Sequence, residues 1–203
     1  MNRFRGLGAI GAIAMLIVST IVASPANAEE LNVPEKLAKS GGTVEMVVAG
    51  QSKSFEISPR NFDSQKTAVP YCSYKAKSGT IVRTYSRAGV SGFGGSKAYL
   101  KCGKYDNEKT KRDGWGLRHI GDGHKKAWES KAGGSDWFEM MQFATKSTLK
   151  NPETGIRQPS DNYLYCAPVE LKYNGKVYDR FKTKVPVRHK GQILMSSYPG
   201  EKC

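Results

Sequence analysis

The stretch YLYCAPVELKYNGKVYDRFKTKVPVRHKGQILMSSY, residues Tyr163 to Tyr198, decides the fold. Asn174-Gly175 divides two runs rich in β-branched and aromatic residues, and a type I′ hairpin turn needs positive φ at both central positions, which Asn and Gly adopt most readily. Lys190-Gly191 reads as a second turn. Three strands are therefore expected, Tyr163 to Tyr173, Lys176 to His189 and Gln192 to Tyr198, forming an antiparallel meander. Along the middle strand Val177, Phe181, Thr183, Val185 and Val187 share one parity, and Tyr178, Arg180, Lys182, Lys184 and Arg188 share the other. Successive side chains point to opposite faces, so one face should pack on helices and the other should be basic. A basic face with an aromatic on it suits plain solvation and a phosphodiester chain equally.

Upstream, helical content begins at His124 to Ala132 and is broken by Gly133-Gly134. Ser135 reads as an N-cap with Asp136 in the first turn. Trp137, Met140, Met141, Ala144 and Thr148 then recur at helical spacing, predicting a helix from about Asp136 to Ser147 with one buried face. Trp115, Trp128 and Trp137 are read as core residues beside these helices rather than as stacking platforms for bases. Helices followed by a strand meander make an α+β arrangement.

Residues 29 to 110 read as a β-rich, loop-rich region of unassigned role, with strands expected at Thr43 to Ala49, Ser54 to Ser58 and Thr80 to Tyr85. The glycines between Ser86 and Ser96 lack the following Lys-Ser/Thr of a phosphate-cradling loop and read as a flexible surface loop. Residues 111 to 203 are expected to form the functional domain.

Arg3 and Arg5, the apolar run Leu7 to Ala23, and the small-residue pattern Ala26-Asn27-Ala28 together read as a secretory signal over residues 1 to 28, cleaved after Ala28. An uncleaved anchor is the rival reading of the same run. Cleavage would leave 175 of the 203 residues and +12 of the +14 charge, describing a secreted, extracellular basic protein attracted to polyanions. No later segment is long and apolar enough to span a bilayer, so membrane contact would be peripheral. Cys72, Cys102, Cys166 and Cys203 suggest two disulfides, with three pairings open. Cys72 with Cys102 and Cys166 with Cys203 is preferred, because the second bond would staple the C-terminus to the strand region. The spacings do not resemble a zinc framework.

Two of the three histidines lie together in Trp115-Gly116-Leu117-Arg118-His119-Ile120-Gly121-Asp122-Gly123-His124-Lys125. Cleaving a phosphodiester through its 2′-hydroxyl needs a base for the hydroxyl proton, an acid for the leaving oxygen and cations for the charged transition state. His119, His124, Arg118 and Lys125 are the right types. On a straight helix a five-residue spacing sets side chains about 140° apart, and Gly121 and Gly123 argue against a continuous helix. A helix end followed by a loop would let His124 curl back towards His119. In the last strand Ser196 and Tyr198 share a face, where both hydroxyls can hold a phosphate or ribose.

The Gly-Leu-Arg-His-Ile segment at residues 116 to 120, the second histidine ahead of a helix, and the closing Gly191-Gln192-Ile193-Leu194-Met195-Ser196-Ser197-Tyr198-Pro199 resemble metal-independent ribonucleases and toxins of the barnase, EndoU, colicin D and RelE group. The resemblance covers roughly Gly114 to Gly200, with Ser196 where many members carry threonine. It implies a small helical segment packed on a four- or five-stranded antiparallel sheet that binds RNA, and cleavage to a 2′,3′-cyclic phosphate without metal or cofactor. By position it implies His119 and His124 as the acid and base, Ser196 and Tyr198 as phosphate or base contacts, and Arg118 or Arg188 as the transition-state cation. Lys125, Arg180, Lys182, Lys184 and Arg188 are the expected RNA contacts, and an immunity or inhibitor protein is the expected partner of a toxin. The alternative is a non-catalytic secreted cationic protein that binds envelope polymers or anionic lipid through the basic strand face.

Overall fold

The computed structural model describes residues 41–57, 71–110 and 113–203. The signal sequence expected over residues 1 to 28 lies outside the described residues, as does Ser58, the last residue of the second expected strand. The described elements are β1 (Gly42–Val48), β2 (Gln51–Ile57), β3 (Ile81–Arg87), β4 (Ser96–Lys101), α1 (Gly116–His119), a π-helical turn (Ile120–His124), α2 (Lys125–Ala132), α3 (Trp137–Lys150), β5 (Thr154–Arg157), β6 (Asn162–Tyr173), β7 (Lys176–Arg188), a 3-10 turn (Lys190–Gln192), β8 (Ile193–Leu194) and β9 (Tyr198–Gly200). The class is α+β, as the patterning implied.

The sheet is ordered β2-β1-β6-β7-β8-β4-β3, with β5 added on β6 and β9 on β7. All pairings are antiparallel except the short contact of β4 with β8 at Tyr99 and Ile193, which is parallel. Strands from before residue 110 thus flank the C-terminal meander on both sides, and all the described residues fall in one compact unit. The division expected at 110/111 does not coincide with a break in packing, because β1 hydrogen-bonds directly to β6.

Asn174 and Gly175 both adopt positive φ, as the hairpin between β6 and β7 requires. From Phe181 to Val187 the odd residues of β7 are buried, apart from one another by solvent-side neighbours that are only partly covered. A bulge opposite Leu171 and Lys172 breaks the parity at Tyr178, whose ring packs against the core instead of joining the basic face. The third strand expected at Gln192 to Tyr198 is divided. Met195 accepts from Gly116 N and Ser197 accepts from the Trp128 indole, so these carbonyls serve the helical segment rather than a strand partner.

α3 lies across one face of the sheet, touching β1, β2, β3, β6 and β7. Its stripe of Trp137, Met140, Met141, Ala144 and Thr148 is buried against Val44, Met46, Val185, Val187 and neighbouring residues. The N-cap is Asp136, whose carboxylate accepts from Phe138 N and Glu139 N. Ser135 does not cap this helix because its hydroxyl donates back to the Ala132 carbonyl at the end of α2. β4 and β5 escaped the sequence patterning: in β4 only Ala98 and Leu100 alternate inward between lysines, and β5 is four residues long.

The glycine-rich turn after β3 is pinned, not loose. Arg87, buried, donates to the carbonyls of Ala88, Phe93 and Gly94 and to the Tyr165 hydroxyl, with its guanidinium 3.5 Å from the centre of the Phe93 ring. No helix among the described residues is long and apolar enough to cross a membrane.

Both preferred disulfides form, Cys72–Cys102 and Cys166–Cys203. The second ties the last residue of the chain to β6 and so holds the short β9 from its far end. Replacing Cys166 and Cys203 together with serine is expected to lower unfolding stability by about 2–5 kcal/mol, read as a lower urea midpoint with a somewhat steeper slope because the uncross-linked unfolded chain exposes more surface.

Candidate active site

The histidine segment begins where the chain leaves β4 and doubles back. Lys104 and Trp115 exchange two backbone hydrogen bonds, and Gly103 lies so close to this crossing that a Cβ there would stand 1.7 Å from the Trp115 carbonyl oxygen. The bridge sets residues 104–106 beside the start of α1. Asp106 then spans the gap with both oxygens: Oδ1 accepts from Gly114 N at 3.0 Å, and Oδ2 meets Nδ1 of His119 at 2.9 Å.

The helix does not stop at the glycines. Residues Ile120–His124 form a π-helical turn, and the segment continues into α2. Hydrogen bonding from i to i+5 widens the turn by one residue, so residues five apart come onto one side. His119 and His124 accordingly meet edge to face with ring centres 5.0 Å apart. The separation expected of a straight helix is removed by the turn itself, and no loop is needed to bring His124 back.

The far face of His124 is covered by Tyr198, stacked at 4.7 Å between ring centres. Tyr198 opposes Lys184 across the β7–β9 ladder, and the Lys184 ammonium lies 5.5 Å from the Tyr198 ring centre. A continuous row results, from Asp106 through His119, His124 and Tyr198 to Lys184. Burial and the adjoining His119 lower the pKa of His124 from 6.5 to about 4, against a smaller upward pull from Asp106. Burial raises the Tyr198 phenol above its ordinary value. His124 is therefore a neutral imidazole and Tyr198 a neutral phenol at pH 7.

Ser196 sits in the same connection, 5% exposed, with no hydrogen-bond partner for its hydroxyl among the described residues. Its neighbour Ser197 is committed to structure, its hydroxyl paired with Thr145 and its carbonyl with Trp128. The Ser196 hydroxyl is thus buried two residues before Tyr198, and it faces no solvent through which a ligand could reach it.

Other expected site residues do different work. Arg118 is buried, and its guanidinium donates to the carbonyls of Gly103, Ser73 and Ala76. These bonds make it an anchor of the loop at Ser73 to Ala76. Lys125 is paired with Glu129 at 3.2 Å, one helical turn on. Arg180 is paired with Glu170 of β6 at 3.0 Å and Lys182 with Glu153 just before β5, so the basic face of β7 is partly neutralised by neighbouring carboxylates. Arg188, half-buried, ends β7 opposite Asn162 and Ile193. His189 packs edge-on to Phe93 at 4.9 Å and belongs to that cluster, not to the site.

Asp106 was missed by sequence reading. It lies thirteen residues before His119 in a segment without periodicity, and its only local sign is a carboxylate in a basic stretch. An open cleft lined by Lys53, Tyr71, Arg83, Phe138, Gln142 and Lys146 contains none of the row. The chain matches no family model, no curated protein and no solved structure.

Chemically, the row offers a carboxylate-oriented imidazole beside a desolvated one. A carboxylate on Nδ1 fixes the tautomer of His119 and leaves Nε2 as the working nitrogen. Proton transfer to and from a bound substrate is the chemistry this pair can perform.

Two outcomes are expected. In an imidazole NMR titration one histidine, lost in His124→Gln, should change state near pH 4. Since the unfolded chain takes up that proton nearer 6.5, the stability contributed by neutral His124 is present above that pH and lost as pH falls towards 4. Separately, a Cβ on Gly114 would lie 2.4 Å from Asp106 Oδ1 and 2.9 Å from both Asp106 N and His119 Nδ1, whereas on Gly123 it would meet nothing nearer than 3.5 Å. Gly114→Ala should cost about 1–3 kcal/mol in urea unfolding, and Gly123→Ala distinctly less.

Proposed function

We propose that this protein is a metal-independent endoribonuclease that uses the 2′-hydroxyl of RNA as its nucleophile. The observation that carries the reading is the contact of His119 with His124, with Asp106 behind the first ring and Tyr198 behind the second. Two imidazoles in different environments are what the reaction asks for: one must start neutral and the other must start protonated.

His124, neutral at pH 7, takes the proton of the 2′-hydroxyl. The 2′-oxygen attacks phosphorus, and the bond to the 5′-oxygen breaks. His119, oriented by Asp106, gives its Nε2 proton to that leaving oxygen. The products are a 2′,3′-cyclic phosphate and a 5′-hydroxyl, with one proton accepted and one donated. Lys184, at the end of the row, supplies the positive charge expected of Arg118 or Arg188.

The overall charge of +14 draws such a polyanion to the protein. Two disulfides fit action outside the reducing cytosol, in line with the exported, toxin-like or scavenging role expected from the leader. The rival reading, a non-catalytic cationic binder, uses the same charge but gives no reason for two histidines in edge-to-face contact with a carboxylate on the first.

The test is cleavage of RNA by the purified protein in excess EDTA, with end-group analysis for the cyclic phosphate. His119→Ala and His124→Ala should each lower the rate by about 100- to 10,000-fold. Asp106→Asn should also lose rate while still folding. The acidic limb of the kcat/KM profile should fall near pH 4, where His124 gains its proton. No cleavage of any RNA, with the disulfides intact, would remove the reading.

A further inference from the structure

Among the large apolar side chains most exposed to solvent are three tyrosines, Tyr71, Tyr74 and Tyr105. Two of them are presented by the frame that builds the histidine row. Tyr105 immediately precedes Asp106, on the segment held by the two Lys104–Trp115 backbone bonds, and half of its surface is open. The Arg118 guanidinium lies 5.7 Å from its ring centre. One amino group of that same guanidinium, Nη2, donates to the carbonyls of Ser73 and Ala76 on either side of Tyr74.

The loop bearing Tyr74 is fixed at both ends. Cys72 is bonded to Cys102, and the next backbone groups, Cys102 N and Gly103 N, donate to Thr80 and Ser78. Tyr74 is 83% exposed, with the Lys75 ammonium 5.6 Å from its ring centre, and Lys77 and Lys104 on the same two segments are exposed. Two rings are thus held in place by a disulfide and a buried arginine while much of their surface stays open to solvent.

We propose that Tyr105 and Tyr74, with Lys75, Lys77 and Lys104, form a stacking subsite for unpaired bases beside the phosphate that meets His119 and His124, making single-stranded RNA the substrate class. The proposal rests on the ribonuclease reading for the position of that phosphate. Aromatic rings accept any base face and lysines track the backbone, which is the usual composition of a single-strand groove. A duplex hides its base faces inside the stack and offers these rings nothing. Arg118 thereby acts as a positioning residue, linking the Tyr74 loop and the Tyr105 ring to the start of the catalytic helix.

The probe is a fluorescein-labelled 12-nucleotide 2′-O-methyl RNA, which cannot be cut, followed by anisotropy at fixed salt as a single strand and as a duplex. The single strand should bind at least tenfold tighter. Tyr105→Ala should weaken it about 5- to 150-fold, Tyr74→Ala by a smaller factor, and Tyr105→Phe should bind as the parent does. Equal affinity for duplex and single strand, or parental affinity in Tyr105→Ala, would overturn the subsite. Thermal unfolding of Tyr105→Ala should match the parent, which excludes misfolding as the cause of weakened binding. Because binding of this probe needs no chemistry, Tyr105-dependent binding without RNA cleavage would sustain the subsite and sink catalysis. Cleavage with no dependence on Tyr105 would do the reverse.

Discussion

The carbonyls of Met195 and Ser197 are satisfied from outside the sheet, and much of the molecule follows from that. A buried peptide carbonyl needs a donor, and in a regular meander the neighbouring strand would supply it. Here Gly116 N and the Trp128 indole do so instead, at 2.8 Å and 2.9 Å. The final strand is interrupted at Met195, the helical segment is fixed over the gap, and Tyr198 re-enters the sheet on β7 at the place where His124 can lie on it. Trp128, fully buried, adds its ring area to the same join.

Burial of charge is managed in two ways across the fold. Arg87 and Arg118 are both enclosed, and each is met by several backbone carbonyls, so the cost of desolvating a guanidinium is offset by charge-assisted hydrogen bonds. Both organise loops: Arg87 gathers the glycine-rich turn, and Arg118 gathers the disulfide-bonded loop at Tyr74. His124 takes the other route and is held uncharged. The contrast separates two arginines that keep their charge and shape the frame from one imidazole that burial keeps neutral.

The π-helical turn converts a spacing that looks unfavourable into a contact. On an α-helix the fifth residue points away, and inserting one residue into the turn restores the alignment. A Cβ at Gly123 would stand 3.5 Å from Asp106 Oδ2 and 3.8 Å from the His119 ring, which is ordinary contact, so the turn faces the Asp106–His119 pair without crowding it. Gly121 and Gly123 suggested a helix end when read along the chain, since local propensity does not register what lies across the turn.

Residue pattern alone determined the hairpin at Asn174-Gly175, the alternation of β7 beyond its bulge, the buried stripe of α3 and the histidine pair as the centre of interest. These depend on local backbone preference and on periodicity, which are written residue by residue. The cysteine count suggested two disulfides with a preferred pairing among three, and the structure selects that pairing by bringing Cys72 to Cys102 and Cys166 to Cys203. Only the tertiary structure decided that β1 and β4 complete the C-terminal sheet, that Asp106 orients His119, that Ser135 yields the cap to Asp136, and that Arg118 holds a loop. Each of these is a contact between segments distant in sequence or a competition between two groups for one donor. Such outcomes depend on which groups the fold brings within hydrogen-bonding distance, and no local pattern encodes that.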